Sequence, residues 1–106
     1  MIFKKNDAKH FANDNGCTSW LYNINAKAPQ PHIGYTEADS KSPNRYAPQN
    51  ISFVFYIIEG TGVWQIGNQK YSVEATDMVV IPPQTEFSHT GKMKFVEVAI
   101  PDWGKN

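Results

Sequence analysis

The sequence predicts an all-β barrel or sandwich, and three observations lead there. Segments with helical periodicity are nearly absent. Short runs rich in β-branched and aromatic residues alternate with Gly, Pro, Asn and Ser, the rhythm of a closed or two-layered β-fold. One run, Ile51–Glu59, is apolar almost throughout, which suits a strand buried on both faces.

Taken in order, Asn6–Asn13 reads as a single short turn of helix. Asn6 or Asp7 can cap it, and Ala8, Phe11 and Ala12 share a face. Strands are expected at Thr18–Asn23, His32–Glu37, Ile51–Glu59, Gly62–Ile66, Gln69–Val73, Met78–Ile81, Glu86–His89 and Lys94–Ile100. Gly67-Asn68 lies between two of these and is a two-residue hairpin signal, since both residue types tolerate positive φ. Ala38–Asn50 holds Ser40, Ser42, Pro43, Asn44, Pro48 and Asn50. It reads as a long loop or an irregular edge strand, and hence as a candidate lid.

Composition narrows the function classes. At 106 residues the chain fits one domain, 1–106, and its 13% aromatic content supplies large buried surfaces. Ten basic residues balance ten acidic ones, with no basic cluster larger than Lys4-Lys5. A nucleic-acid partner is therefore not expected, and near-zero net charge favours self-association. Cys17 is the sole cysteine, so an internal disulfide and a Cys-rich zinc site are excluded. Met1–Phe11 lacks a signal-like apolar core, and the apolar run Ile51–Ile58 is too short to span a bilayer. The glycosylation triplet Asn50-Ile51-Ser52 is then a chance match, no membrane association is expected, and the expected setting is the reducing cytoplasm.

Two segments in the second half resemble a known superfamily. Phe53-Val54-Phe55-Tyr56-Ile57-Ile58-Glu59-Gly60-Thr61-Gly62 is similar to the strand and turn of the first cupin motif. Ala75-Thr76-Asp77-Met78-Val79-Val80-Ile81-Pro82-Pro83-Gln84-Thr85 is similar to the start of the second, and the hairpin between them matches the superfamily's spacing. Ile100-Pro101-Asp102-Trp103 resembles the tail of many small cupins. The resemblance covers Tyr46 to Trp103 and implies a cupin-type double-stranded β-helix, or jelly-roll barrel. Gly60 and Gly62 would flank a sharp reversal. Thr76 and Gln84 replace two family glycines, so those turns are expected to adopt a different geometry.

The resemblance also implies where a metal would sit. The family's glutamate position, seven residues before the turn glycine, is Phe53 here; its His pair falls within Tyr46 to Gln49, and its last His position is Phe87. A divalent site needs about three N/O ligands, which these residues do not supply. Burying the two phenyl rings would instead contribute roughly 1.5–3 kcal/mol each. No catalytic metal and no cofactor are expected.

Several residues remain able to do chemistry. If Phe87 points inward, strand alternation sends His89 inward too, where its imidazole can serve as a base; the alternative is a strand-end His bonded to backbone or water. Tyr46, Tyr56 and Trp64 supply either an aromatic wall for a ligand or ordinary core. Glu97 needs a partner such as His89 or Tyr46 if it faces in, and is an ordinary solvated charge if it faces out. His32, Tyr35 and Glu37 are taken to share one strand face, and a His–Tyr pair resembles the base and acid of metal-free cupin epimerases; the alternative is a polar strand face. Cys17 has no activating neighbour, and His10 carries no argument.

The expectation is thus a small-molecule (sugar or organic-acid) binding domain, with Tyr46, Phe53, Trp64, Phe87, His89 and Glu97 as the ligand-binding set. A metal-independent sugar epimerase or isomerase is the second reading, drawing on His89 or His32 with Tyr46 or Tyr35. A non-catalytic dimerisation or sensing module is the third. A homodimer is expected throughout, because edge strands seek partners and such barrels often exchange an N-terminal strand.

Overall fold

The structure is a computed structural model that describes residues 2–24 and 31–101. After a 3-10 turn at Lys5–Asp7 come strands β1 (Lys9–Ala12), β2 (Cys17–Leu21), β3 (His32–Tyr46), β4 (Ile51–Ile66), β5 (Gln69–Glu74), β6 (Met78–Ile81) and β7 (Phe87–Pro101). All pairings are antiparallel, in the order β1-β2-β3-β7-β4-β5, with β6 on β4. Among the described residues no helix is long and apolar enough to cross a membrane.

Three long strands make the roll. The first half of β4 pairs with β6 and with the second half of β7; its second half pairs with β5 and with the first half of β7. A bend between the halves lets one strand serve both layers, and β-bulges supply it. Register shifts fall between Ser40 and Asn44 in β3 and between Ile57 and Glu59 in β4.

Those bends explain where the expected boundaries fail. Glu59-Gly60-Thr61 is not a reversal between two strands, because β4 runs straight through it. Gly60 adopts φ +92°, and a Cβ there would collide with the Lys92 carbonyl oxygen across the ladder. The glycine is required by close approach of two backbones in a bend rather than by a turn. Lys94–Ile100 and Glu86–His89 fuse in the same way, through Gly91 at φ +114°, into the single strand β7.

Over most of its length Ala38–Asn50 takes the second of its expected forms, an irregular edge strand and not a loop or lid: β3 continues to Tyr46, paired beyond Ala38 with β7 alone through a register shift. Its bulge is held by polar side chains that satisfy the freed backbone. Buried Asn44 donates to the Ser40 hydroxyl at 2.6 Å and accepts from the Asn13 amide at 3.0 Å. Ser40 donates in turn to the Asn15 carbonyl at 2.7 Å. The expected helix at Asn6–Asn13 shrinks to the 3-10 turn, and Lys9–Ala12 pairs with β2 instead, His10 opposite Trp20.

The turns at Thr76 and Gln84 depart from expectation in an informative way. Both residues sit at positive φ, 76° and 58°, the conformation a glycine would favour. The turn geometry is kept, and a non-glycine side chain bears the strain. Hydrogen bonds impose it: the Thr76 N–H donates to Ile57 O at 2.8 Å, and the Gln84 N–H to Gln49 O at 2.7 Å.

Inward positions follow the two-residue period. Phe55, Ile57, Trp64, Val79, Ile81, Phe87, Met93 and Phe95 form one buried core, with Tyr46 and Phe53 packed against its edge. The deepest members are Trp64 and Ile57, at 0% exposure.

Candidate functional site

On β7 the odd-numbered positions Phe87, His89, Phe95, Glu97 and Ala99 face the interior, so the strand delivers rings, an imidazole and a carboxylate to one wall. On β4, Phe53 and Phe55 face them, and Tyr46 comes from the end of β3. Together with Ser19, Leu21, Ile24, His32, Thr36, Gln49 and Ile51 they enclose a cavity of about 350 Å³. That is within the usual range for small-molecule sites.

His89 is the central polar group. It is 2% exposed, and its ring lies 4.7 Å from Trp64, 5.4 Å from Phe95 and 5.6 Å from Tyr46, centroid to centroid. Its Nδ1 is buried with no hydrogen-bond partner among the described residues. Removal from water among aromatic rings holds its pKa down at about 4, so the imidazole is neutral at physiological pH. A buried imidazole nitrogen left unpaired costs about 1–3 kcal/mol.

Glu97 lines the same cavity, half-buried, and desolvation raises its pKa to about 6. Tyr46 stacks on Phe87 at 4.9 Å and on His89. Its hydroxyl is pushed well above the ordinary phenol value, first by burial and then by the adjacent Cys17 and Glu97, so it stays protonated and can donate. Burial likewise raises the Cys17 thiol, which disfavours the reactive thiolate.

Phe53 and Phe87 occupy the cavity side by side, with ring centroids 5.4 Å apart. They fill the positions that the cupin resemblance gives to a carboxylate and an imidazole. Among the described residues no group of three or more His, Cys, Asp or Glu side chains converges to hold a metal ion. The donor set does not fit a cupin metal centre, and no chemical step is assigned to one.

Of the residues named from the sequence, Tyr46, Phe53, Phe87, His89, Glu97 and His32 converge on the cavity. Three others do not. Trp64 is fully buried behind His89 as core, and its Nε1 also lacks a partner. Tyr56 is 46% exposed on the outside of the roll. Tyr35 stacks on Trp20 and donates to the Glu37 carboxylate at 2.9 Å, which raises its pKa to about 12 after the larger effect of desolvation.

The separation of His32 from Tyr35 corrects the expected shared face. They lie three residues apart, and in a strand an odd separation puts two side chains on opposite sides. The residue sharing the face of His32 is Thr36, four positions on, which is 2% exposed and hydrogen-bonded to Ser19 at 2.8 Å. Stricter use of the two-residue period would have found Thr36. Gln49 and Ile51 line the mouth through a chain path that periodicity does not carry.

No protein-family model matches the chain, and no curated protein matches its sequence. Solved structures do resemble it. Pac13, a nucleoside dehydratase, superimposes with a TM-score of 0.83 at 19% identity, over 99% of this chain and 85% of that one. A Streptomyces Pac13 variant was solved with uridine. KdgF from Halomonas sp. gives 0.76 at 12% identity, over 98% and 96% of the two chains. The cupin domain of Schizosaccharomyces pombe Cnp3 gives 0.67 at 12% identity, over 79% and 65%. The chain has the cupin jelly-roll fold, as its two motifs imply.

Proposed function

We propose that the barrel interior binds one small organic molecule, of the sugar or organic-acid class, without a catalytic metal. One observation carries this reading: His89, a buried neutral imidazole whose Nδ1 has no protein partner among the described residues, lines a cavity of about 350 Å³ together with Glu97 and three aromatic rings. Polar groups in such positions are normally satisfied, and a bound molecule is the simplest missing partner. Rings of Tyr46, Phe53 and Phe87 offer a stacking surface for a flat or pyranose ring. Pac13, of the same fold, has been solved with uridine, itself a sugar-bearing heterocycle.

The test is a thermal-shift panel of free sugars, nucleosides and sugar acids on the wild-type protein and on His89→Phe. A ligand at a hundred times its Kd should stabilise the wild type by about 2.7 kcal/mol. The variant should stay folded and lose most of that gain. Equal stabilisation of both proteins, or no hit in the panel, counts against the cavity as a binding site.

A second reading is metal-independent epimerisation or isomerisation, favoured by the stacking of Tyr46 on His89. Tyr46 would be the acid. With its pKa near 4, His89 is a weak base, and Glu97, near 6, is better matched to accept a proton at neutral pH. Tyr35 drops out of this reading, since it does not line the cavity, and Trp64 drops out of the ligand-binding set for the same reason.

The proposal extends to a homodimer, in the cytoplasm, formed through the outer face of the sheet. There Ile33, Val98, Val54 and Val80 form one cross-strand row, and Val96, Tyr56 and Met78 the next. Four of these seven are between 38% and 64% exposed, and none carries a charge. A balanced net charge adds no repulsion between copies.

A further inference from the structure

We infer that the ligand of this cavity is uncharged, a hydroxylated or N–H-bearing ring such as a free sugar or nucleoside, and not its carboxylated or phosphorylated counterpart. This rests on the reading that the cavity binds a small molecule, and it narrows the class.

The lining carries the inference. Among the described residues around the cavity there is no lysine and no arginine. Lys92 and Lys94 line a different groove, and Arg45 is exposed. Anion sites are built from guanidinium or ammonium groups, metal ions or helix N-termini, and the described lining provides none of these. His89 does not substitute, because burial keeps its imidazole neutral. Glu97 is the carboxylate at this wall, so an anionic ligand would meet a like charge in a partly dry site.

The rest of the lining suits a neutral ring. The His89 imidazole lines the cavity as a neutral hydrogen-bonding group, while Tyr46, Gln49 and the Ser19–Thr36 hydroxyl pair offer further donors and acceptors. Phe53 and Phe87 supply apolar contact for one ring face. An ionised Glu97 accepts from ligand hydroxyl or N–H groups and repels carboxylate and phosphate, so one residue both attracts the first class and rejects the second.

Acidification adds a signature. The titratable groups facing Glu97 are Cys17 on β2, His32 and Tyr46 on β3, and His89 on its own strand; on β4 its cross-strand partner is Phe55. Neither the Cys17 thiol nor the Tyr46 phenol ionises below neutral pH, because both are shifted up. Protonation of Glu97 below about pH 6 therefore removes the repulsion.

The experiment is calorimetric titration with matched pairs, uridine against uridine 5′-monophosphate and glucose against glucuronate, at neutral pH. The neutral member of a pair should bind at least tenfold tighter. Glu97→Gln should shrink that gap several-fold, and so should lowering the pH to about 5 for glucuronate, which stays ionised there. Since Gln is neutral and close in shape, the variant should fold, and the pH arm gives the same readout without it. Anions binding as tightly as their neutral partners would overturn this inference and leave the cavity reading standing. If no member of either pair binds, both fail.

Discussion

At the scale of single residues, the site is governed by what burial does to titratable groups. His89 has its pKa lowered from 6.5 to about 4 by desolvation, so the native state resists the proton that the unfolded chain accepts. Stability should therefore fall as pH drops from about 6.5 to about 4, by about 3 kcal/mol from this group alone. Glu97 acts in the opposite sense. Its raised pKa means the native state takes up a proton first, so its contribution grows as pH falls from about 6 towards 4.5. Urea titrations of the wild type and His89→Phe across this window separate the two. The variant should gain on the wild type by about 3 kcal/mol between pH 7 and pH 4. Parallel curves would mean that His89 is not a buried neutral group.

Elements were legible in the sequence wherever period-two alternation and turn chemistry acted alone. Met78–Ile81 and the Gly67-Asn68 hairpin lie where expected, with Ile66 paired to Gln69. Alternation from Phe87 also places His89 inside. Legibility ended at the bends. Gly60 and Gly91 look like breaks but are points where long strands turn a corner, a distinction set by the partner backbone and invisible to local pattern. Pro43 and the serines and asparagines around it look like loop, yet side-chain bonds from Asn13 and Asn15 hold them in a bulged strand. The turn between β5 and β6 yields a prediction at this scale. Thr76 holds φ 76°, a conformation costing roughly 1–2 kcal/mol for a residue with a Cβ. Thr76→Gly should stabilise the fold by about 0.5–1 kcal/mol after glycine's larger unfolded-state entropy is subtracted. Chemical denaturation measures it directly, and a loss of stability would show that the Thr76 side chain makes an overriding contribution.

At the scale of the molecule, the cavity and the outer face are proposed for different partners. The interior cavity is too small for anything but a metabolite-sized molecule, whereas the outer face presents two apolar cross-strand rows without a charged member. A sealed, side-chain-filled barrel would have favoured a purely structural module; a cavity of about 350 Å³ favours the proposed binding role. Met78 is the most exposed residue of that face, at 64%. Met78→Lys should leave the fold unchanged and shift the protein from dimer to monomer in sedimentation velocity. A monomeric wild type would remove the dimer without touching the cavity. The metal question is also a whole-molecule one. The roll has the cupin shape, but Phe53 and Phe87 stand where the resemblance places a carboxylate and an imidazole, so the fold is retained while the metal-binding pattern is replaced by aromatic packing.

The central claim is a buried, neutral imidazole at the wall of an aromatic-lined cavity. The most direct test is a long-range ¹H–¹⁵N titration of the histidine side chains, with His89 assigned by its loss in His89→Phe. A midpoint near pH 4, with His89 remaining in its neutral form at pH 6, is the expected result. A midpoint near the ordinary value of 6.5 would place His89 in water and contradict the site.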